Sequence, residues 1–103
     1  MVVSKVEQGD ILKFERIKQP VLVISKNFFN EENEIMGCPI FKTNDIPSPL
    51  HIEINYNDGS GVVHCEQVHL LDLNLRGYKR IGRISIEEIM NITDAIQSIF
   101  DYI

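Results

Sequence analysis

Residues 16–30 read RIKQPVLVISKNFFN, and the apolar run at their centre, residues 21–24, predicts a strand in the middle of a β-sheet. Four branched apolar residues in a row are typical of a strand that is covered on both faces. Pro20 fits the start of such a strand, because its missing N–H then removes no hydrogen bond from the ladder. The polar residues 25–27 predict the end of the strand.

Further strands are predicted on both sides of this run. Residues 11–17 alternate apolar and polar side chains, as a half-buried strand does, and residues 50–56 alternate in the same way. Residues 35–41 form a third apolar run, and residues 62–71 form another that we expect to bend near Glu66 and Gln67. A short last strand is predicted at residues 78–81.

The C-terminal part of the chain predicts one amphipathic helix. Ser85 and Glu88 have the spacing of a capping box, in which each side chain satisfies a backbone N–H of the other. Apolar or near-apolar residues follow at helical spacing, and the predicted packing face consists of Ile86, Ile89, Met90, Thr93, Ile96 and Phe100, widened by Ile92, Ala95 and Ile99. The strands and the helix together predict a mainly β fold, a small SH3-like, partly closed antiparallel barrel with the C-terminal helix packed on the sheet.

Length and composition predict one soluble domain spanning residues 1–103, with 44% hydrophobic and 24% charged residues. The net charge of -5 argues against a general nucleic-acid binder but allows a local basic patch, such as the four cations of residues 76–83. There is no bilayer-length apolar run and no secretory leader, so we expect a cytoplasmic protein. Cys38 and Cys65 are expected to be reduced core thiols.

Four stretches, in this order along the chain, carry a resemblance to a known family. They are Gly9-Asp10-Ile11, residues 20–30, residues 61–72 and residues 80–85. Together they resemble the MazF/PemK toxins of type II toxin-antitoxin systems, which share a fold with the gyrase poison CcdB. The resemblance implies a homodimer, a cognate antitoxin as partner, and sequence-specific cleavage of single-stranded mRNA that needs no metal or other cofactor.

The sequence departs from the family at the residues that carry this chemistry. Gln19 stands where the family has a catalytic arginine before the proline, and Phe41 stands where it has a catalytic threonine. The loop before residue 21 is also shorter than in typical members. Glutamine can donate a hydrogen bond but carries no charge, and phenylalanine has neither a hydrogen-bonding group nor a charge. Nearby residues could substitute, so the candidate catalytic residues are Arg16, Lys18, Gln19, Lys42 and Thr43. If strand alternation continues, Thr43 shares a face with Phe41.

Five residues are candidates for contacts with RNA. Glu66 and Gln67 stand where the family has an acidic residue and a glutamine near its groove. His51 is expected on the exposed face of its strand, Phe28 could stack on a base, and Arg80 belongs to the basic run. No metal site is expected, because His64 and His69 lack a zinc-ligand spacing.

Three functions stay open at this point. The first is an endoribonuclease toxin with an altered site, whose activity the residues at positions 19 and 41 put in question. The second is a non-catalytic relative that binds an antitoxin or another protein. The third, suggested by the chain end at residues 99–103, is a CcdB-like gyrase binder.

Overall fold

The computed structural model describes residues 6–43, 46–57 and 59–100, and a curled antiparallel sheet with a C-terminal helix accounts for most of them. The strands are β1 (Asp10–Phe14), β2 (Val21–Val23), β3 (Glu34–Phe41), β4 (His51–Tyr56), β5 (Gly59–His64), β6 (His69–Asp72) and β7 (Tyr78–Arg83), and the helices are α1 (Asn27–Asn30) and α2 (Ile86–Ser98). The predicted mainly β fold is confirmed. No helix in the described part of the chain is long and apolar enough to cross a membrane.

Strand β3 joins the two halves of the sheet. The strand order is β4-β5-β3-β2-β1-β7, and β6 pairs with β3 outside this path. The first half of β3 pairs with β6, its middle pairs with β2, and its last two residues pair with β5. Because one eight-residue strand has partners at different heights, the sheet curls on itself rather than lying flat.

The core has two parts, one on each face of β1 and β2. The main cluster consists of Ile11, Leu22, Cys38, Ile40, Ile54, Val63, Cys65, Ile84 and Ile92. The second cluster consists of Val6, Leu12, Phe14, Val21, Val23, Ile35 and Leu73. Neighbouring residues of β1 and of β2 therefore enter different clusters, which confirms that residues 21–23 of the predicted run form a strand covered on both faces.

The strand ends before residue 25, as predicted, and the residues that follow form a single helical turn, α1. The buried side chain of Asn30 fixes this turn to the strand before it. Its amide donates to the carbonyl oxygen of Ser25 at 3.1 Å, and its Oδ1 accepts from the Ser25 hydroxyl at 2.5 Å. These bonds satisfy a polar group that would be costly to bury alone.

The capping box of α2 is confirmed. The backbone N–H of Glu88 donates to Ser85 Oγ at 3.2 Å, and the N–H of Ser85 donates to Glu88 Oε1 at 3.1 Å. The helix therefore begins where the sequence predicted, with two free amides satisfied.

The predicted packing face of α2 is wrong in part. Ile92, placed only at the margin of the predicted stripe, is the buried residue of the helix, and Ile86, Met90 and Phe100 are exposed. The half-buried neighbours that pack on the main cluster with Ile92 are Ile89, Ala95 and Ile96. Apolar residues cover so much of the helix circumference that periodicity alone did not determine which side meets the sheet.

Candidate functional site

A groove lies where β2 begins and β3 ends. One cavity of about 360 Å³ lies beside β6, and its wall residues are Ile17, Gln19, Val21, Gly37, Pro39, Phe41, Gln67, His69, Leu70 and Leu71. A second cavity of about 380 Å³ has as its wall residues Lys18, Gln19, Pro20, Ile40, Phe41 and Lys42. Both cavities have Gln19 and Phe41 among their wall residues, and we call the two cavities together the Gln19–Phe41 groove.

The pairing of β2 with β3 explains why Gln19 and Phe41 meet. Val21 lies opposite Pro39 in this antiparallel pair, and the Ile40 N–H donates to the Pro20 carbonyl at 2.9 Å. In an antiparallel register each step back along one strand matches a step forward along the other. Position 19 therefore lies across from position 41, at the end of the ladder.

The same register places two cations across from each other. Lys18 precedes Gln19 and Lys42 follows Phe41, and both lysines are exposed wall residues of the second cavity. The groove therefore has a neutral, partly aromatic centre with a flexible positive charge on each side. The candidate catalytic residues Lys18, Gln19 and Lys42 come together here.

Two other candidate catalytic residues are positioned differently. Arg16 has a left-handed backbone conformation, with φ 67°, in the turn after β1, and it lines a separate cavity with Lys13, Tyr78 and Lys79. Thr43 is exposed and follows the end of β3 at Phe41, with a bend at Lys42 between them. The strand-alternation argument for Thr43 is therefore wrong, because the strand stops before reaching it.

Some of the candidate RNA-contacting residues line the groove and others lie outside it. Gln67 lines the groove, and so does His69, which was not among the candidate RNA contacts. Phe28 is exposed on α1 and is not among the groove residues of the described chain. Arg80 lies on β7, 3.7 Å from the buried carboxylate of Asp10, and is likewise outside the groove walls.

His51 is not on an open surface, which corrects the sequence-based expectation. Its side chain is 8% exposed, because β4 pairs with β5 so that His51 lies directly opposite His64. The two rings stack with centroids 3.9 Å apart and planes inclined by 15°. Glu66, just beyond the end of β5, brings Oε2 to 3.1 Å from His51 Nε2 and 3.9 Å from His64 Nδ1.

The histidine pair adjoins the groove. The ring of His64 contacts that of Phe41, with centroids 4.2 Å apart, and Gln67 Nε2 lies 3.5 Å from His64 Nδ1. Sequence reasoning missed this cluster because it compared His64 only with His69. The signal that could have found it is the turn-forming sequence that begins at Asn57: in a hairpin that pairs Tyr56 with Gly59, residue 51 lies opposite residue 64.

The environments of the two histidines shift their pKa values in opposite directions. The hydrogen bond to Glu66, with a second to the Ile46 carbonyl, raises the pKa of His51. Burial, and then the proximity of His51, lowers the pKa of His64. For Glu66, burial opposes ionisation, but the hydrogen bond from His51 and the other favourable interactions together lower its pKa.

The ligand atoms of His51, His64 and Glu66 lie within 4.8 Å of one another, close enough to be considered for a metal ion. The ring geometry does not fit that use. A histidine lone pair lies in the plane of its ring, so two nearly parallel stacked rings cannot both direct a lone pair at one ion. The cluster is better suited to holding and moving a proton.

Comparisons with known proteins agree with this architecture. A MazE–MazF structure from Deinococcus radiodurans matches with a TM-score of 0.82 and 17% identity, over 97% of this chain and 98% of that one. A structure described as an endoribonuclease from a mycobacterial species matches with a TM-score of 0.81 and 16% identity, over 97% and 95%. At such identities these matches show a shared fold. No curated protein sequence matches the chain.

The family comparison covers nearly the whole sequence. The family model described as PemK-like, MazF-like toxin of type II toxin-antitoxin system matches residues 7–100. This match includes every strand, both helices and the groove described above. The resemblance carried by the four sequence stretches is thereby confirmed, and the chain belongs to the PemK-like, MazF-like family of type II toxin-antitoxin toxins.

Proposed function

We propose that this toxin acts in the cytoplasm by binding single-stranded RNA in the Gln19–Phe41 groove and cleaving its backbone. The observation that carries the proposal is the pair of cations, Lys18 and Lys42, which both line the second cavity of the groove beside Gln19 and Phe41. They stand one residue away from Gln19 and Phe41, the positions at which the family resemblance implies a catalytic arginine and threonine.

Cleavage of an RNA backbone requires specific chemical groups in the groove. Attack by the 2′-hydroxyl needs a base for its proton, a proton for the leaving oxygen and positive charge near the phosphorane. Lys18 and Lys42 provide the charge, and the Gln19 amide can donate a hydrogen bond to a phosphate oxygen. Phe41 and Pro39 offer apolar surface on which a base can stack.

We also propose a cognate antitoxin and a two-fold homodimer. The solved MazE–MazF complex supports an antitoxin partner. Exposed apolar side chains on α2 and just after it, among them Ile86, Met90 and Phe100, support self-association, because a small domain gains stability by covering them. Light scattering at tens of micromolar, on the order of a usual assay concentration, should give twice the chain mass, and a monomer would contradict the dimer.

A second function, protein binding without catalysis, is favoured by a different observation. The centre of the groove carries neither the charge nor the hydroxyl of the family pair, and much of its wall is apolar, including Val21, Leu70 and Leu71. Such a groove also suits an extended peptide. The gyrase-binding alternative stays last, and residues 101–103 of the segment that suggested it lie outside the described residues.

The experiment that separates these functions is cleavage of a mixed-sequence single-stranded RNA, with the new ends mapped by sequencing. Removing a charge that stabilises the transition state costs about 10²–10³ in rate, so Lys18→Ala and Lys42→Ala should each lose most of the activity. Gln19→Ala should lose less. Lys26→Ala is the matched control, because Lys26 is an exposed lysine that precedes α1 and does not line the groove.

The converse experiment restores the family pair with Gln19→Arg and Phe41→Thr in one chain. If the parent protein is inert on RNA and the double variant cleaves it, the groove binds RNA but the natural protein lacks the chemistry. If neither protein cleaves or binds RNA, the protein-binding function replaces the nuclease. If the parent cleaves and neither lysine matters, the location of the site is wrong.

A further inference from the structure

We infer that His64 is the general base of this toxin, and that His51 and Glu66 are the residues that position it and keep it ready to accept a proton. The inference rests on the proposed nuclease function and names the proton acceptor of the groove. His69 is also a wall residue, but in the described chain the contacts with an ion pair and with Phe41 belong to His64. The inference depends on three geometric features: the contacts of His51, the stacking of the two rings, and the contacts of His64 with the groove.

Both ring nitrogens of His51 face hydrogen-bond acceptors. Nδ1 lies 2.6 Å from the Ile46 carbonyl oxygen, and Nε2 lies 3.1 Å from Glu66 Oε2. A neutral imidazole carries one N–H, so it can satisfy only one of these acceptors. The doubly protonated ring satisfies both, and it also places a positive charge against the carboxylate. His51 is therefore the imidazolium in a His51–Glu66 ion pair.

The charge on His51 determines the state of His64. The two rings are stacked 3.9 Å apart, and two imidazolium ions at that distance would repel each other strongly. His64 is therefore neutral at pH 7, with one nitrogen free to accept a proton. That nitrogen is Nδ1, because the amide nitrogen of Gln67 faces it as a donor at 3.5 Å. The opposite pKa shifts of the two rings agree with this division of roles.

His64 is in reach of the groove. Its ring contacts Phe41, its Nδ1 contacts Gln67, and both of these residues are groove walls. The side chain is 18% exposed, so it is neither open to bulk water nor sealed in the core. The contact with Gln67 is long and weak at 3.5 Å, so a 2′-hydroxyl entering beside Phe41 can take the place of that amide.

In the cleavage step, His64 Nδ1 takes the proton of the 2′-hydroxyl, the bond from O2′ to phosphorus forms, and the bond from phosphorus to O5′ breaks. The leaving O5′ takes a proton from water, and the hydroxide formed is neutralised by the proton that His64 releases. No water is consumed, and the products are a 2′,3′-cyclic phosphate and a 5′-hydroxyl. The transient imidazolium of His64 is repelled by that of His51, and Glu66, 3.9 Å from His64 Nδ1, offsets part of this repulsion, so His64 gives up the proton again readily.

The titratable groups that act on the pair are few in the described chain. The two histidines act on each other, and Glu66 acts on both. Glu66 also influences the Cys65 thiol, whose burial raises its pKa to about 11 and keeps it protonated. The rate of cleavage should therefore rise with pH as His64 loses its proton and then level off near neutrality, with one dominant ionisation on the acid side.

The test combines histidine NMR of the whole protein with cleavage of single-stranded RNA. Two-bond ¹H–¹⁵N spectra should show His51 doubly protonated and His64 neutral at pH 7. His64→Gln should lower the cleavage rate about 10²–10⁴-fold. His51→Gln should move the acid limb of the pH–rate profile to higher pH, because the neighbouring positive charge is gone. Lys26→Ala should leave the rate and the profile unchanged.

Each outcome decides a separate part of the inference. A His51 that is neutral at pH 7 refutes the ion pair, whether or not the protein cleaves RNA. Normal cleavage by His64→Gln refutes the base while leaving the nuclease intact. A parent protein without activity refutes the nuclease and the base together, and the NMR spectra then decide only the charge states. If micromolar zinc removes the second proton of His51 and shifts both rings, the cluster is a metal site and this inference is wrong.

Discussion

Replacing Ile92 by alanine and, separately, Ile86 by alanine tests how α2 lies on the sheet. The two changes remove the same atoms from the same helix. They differ in that Ile92 is 0% exposed and packs in the main core cluster, whereas Ile86 is 74% exposed in the first turn. Any effect of alanine on helix propensity is shared, so the difference between the variants measures burial.

The magnitude follows from the burial of each side chain. Isoleucine-to-alanine changes in a closely packed core cost about 2–5 kcal/mol, since the lost apolar transfer and the new cavity add together. Ile92 contributes fully buried volume between α2 and the strands, so Ile92→Ala should lie in this range. Ile86→Ala should change the free energy of unfolding by no more than about 0.5 kcal/mol.

Urea unfolding of both variants, at the same protein concentration, is the measurement. We expect the two unfolding free energies to differ by at least about 1.5 kcal/mol, with a thermal midpoint for Ile92→Ala lower by roughly 6 °C or more. Equal losses would refute an orientation of α2 in which Ile92 faces the core and Ile86 faces away from it. A large loss in Ile86→Ala that shrinks as protein concentration rises would instead assign Ile86 to a dimer interface.

Three further predictions follow from particular contacts. Glu88→Gln should lower stability at neutral pH, because burial opposes ionisation of Glu88 but its hydrogen bonds at the helix cap outweigh burial and lower its pKa. The carboxylate therefore stabilises the fold above the ordinary glutamate pKa of 4.5, and urea midpoints measured against pH should show the difference between the variants vanish as the pH falls below that value. Gly37→Ala should destabilise by about 1–3 kcal/mol in urea melts, because an added Cβ would lie 2.4 Å from a methyl group of β2, whereas Gly59→Ala, with no atom nearer than 3.8 Å, should be mild. Burial raises the pKa of Cys38 to about 12 and that of Cys65 to about 11, so both thiols should resist alkylation when folded and react in urea, and fast labelling of the native protein would contradict the core packing.

Much of the fold could be predicted because local patterns and tertiary packing agree in this chain. The apolar run at residues 21–24 has no polar face, and β2 is buried on both sides. The bend expected near Glu66 and Gln67 separates β5 from β6. The prediction failed where a pattern fitted more than one arrangement. In α2 the apolar residues cover more of the helix surface than the sheet can bury, so the sequence did not determine which of them face the core.

The candidate site was harder to predict because it depends on which residues the sheet brings opposite each other. The resemblance identified positions 19 and 41, but only the register of β2 with β3 brings Lys18 and Lys42 to either side of them. The pairing of His51 with His64 likewise needs the register of the β4–β5 hairpin. Residue spacing along the chain carries little information about such cross-strand neighbours.

Because the groove lies at the ends of strands, side chains next to positions 19 and 41 can line it as well as those at the two positions themselves. Within a regular strand, Lys18 and Gln19 would point to opposite faces, and so would Phe41 and Lys42. Here β2 begins only at residue 21 and β3 ends at residue 41, so Lys18, Gln19 and Lys42 lie outside the two strands. Adjacent residues can then line the same cavity, as these four do. The wall of the second cavity therefore contains two lysines next to positions 19 and 41, although Gln19 itself carries no charge.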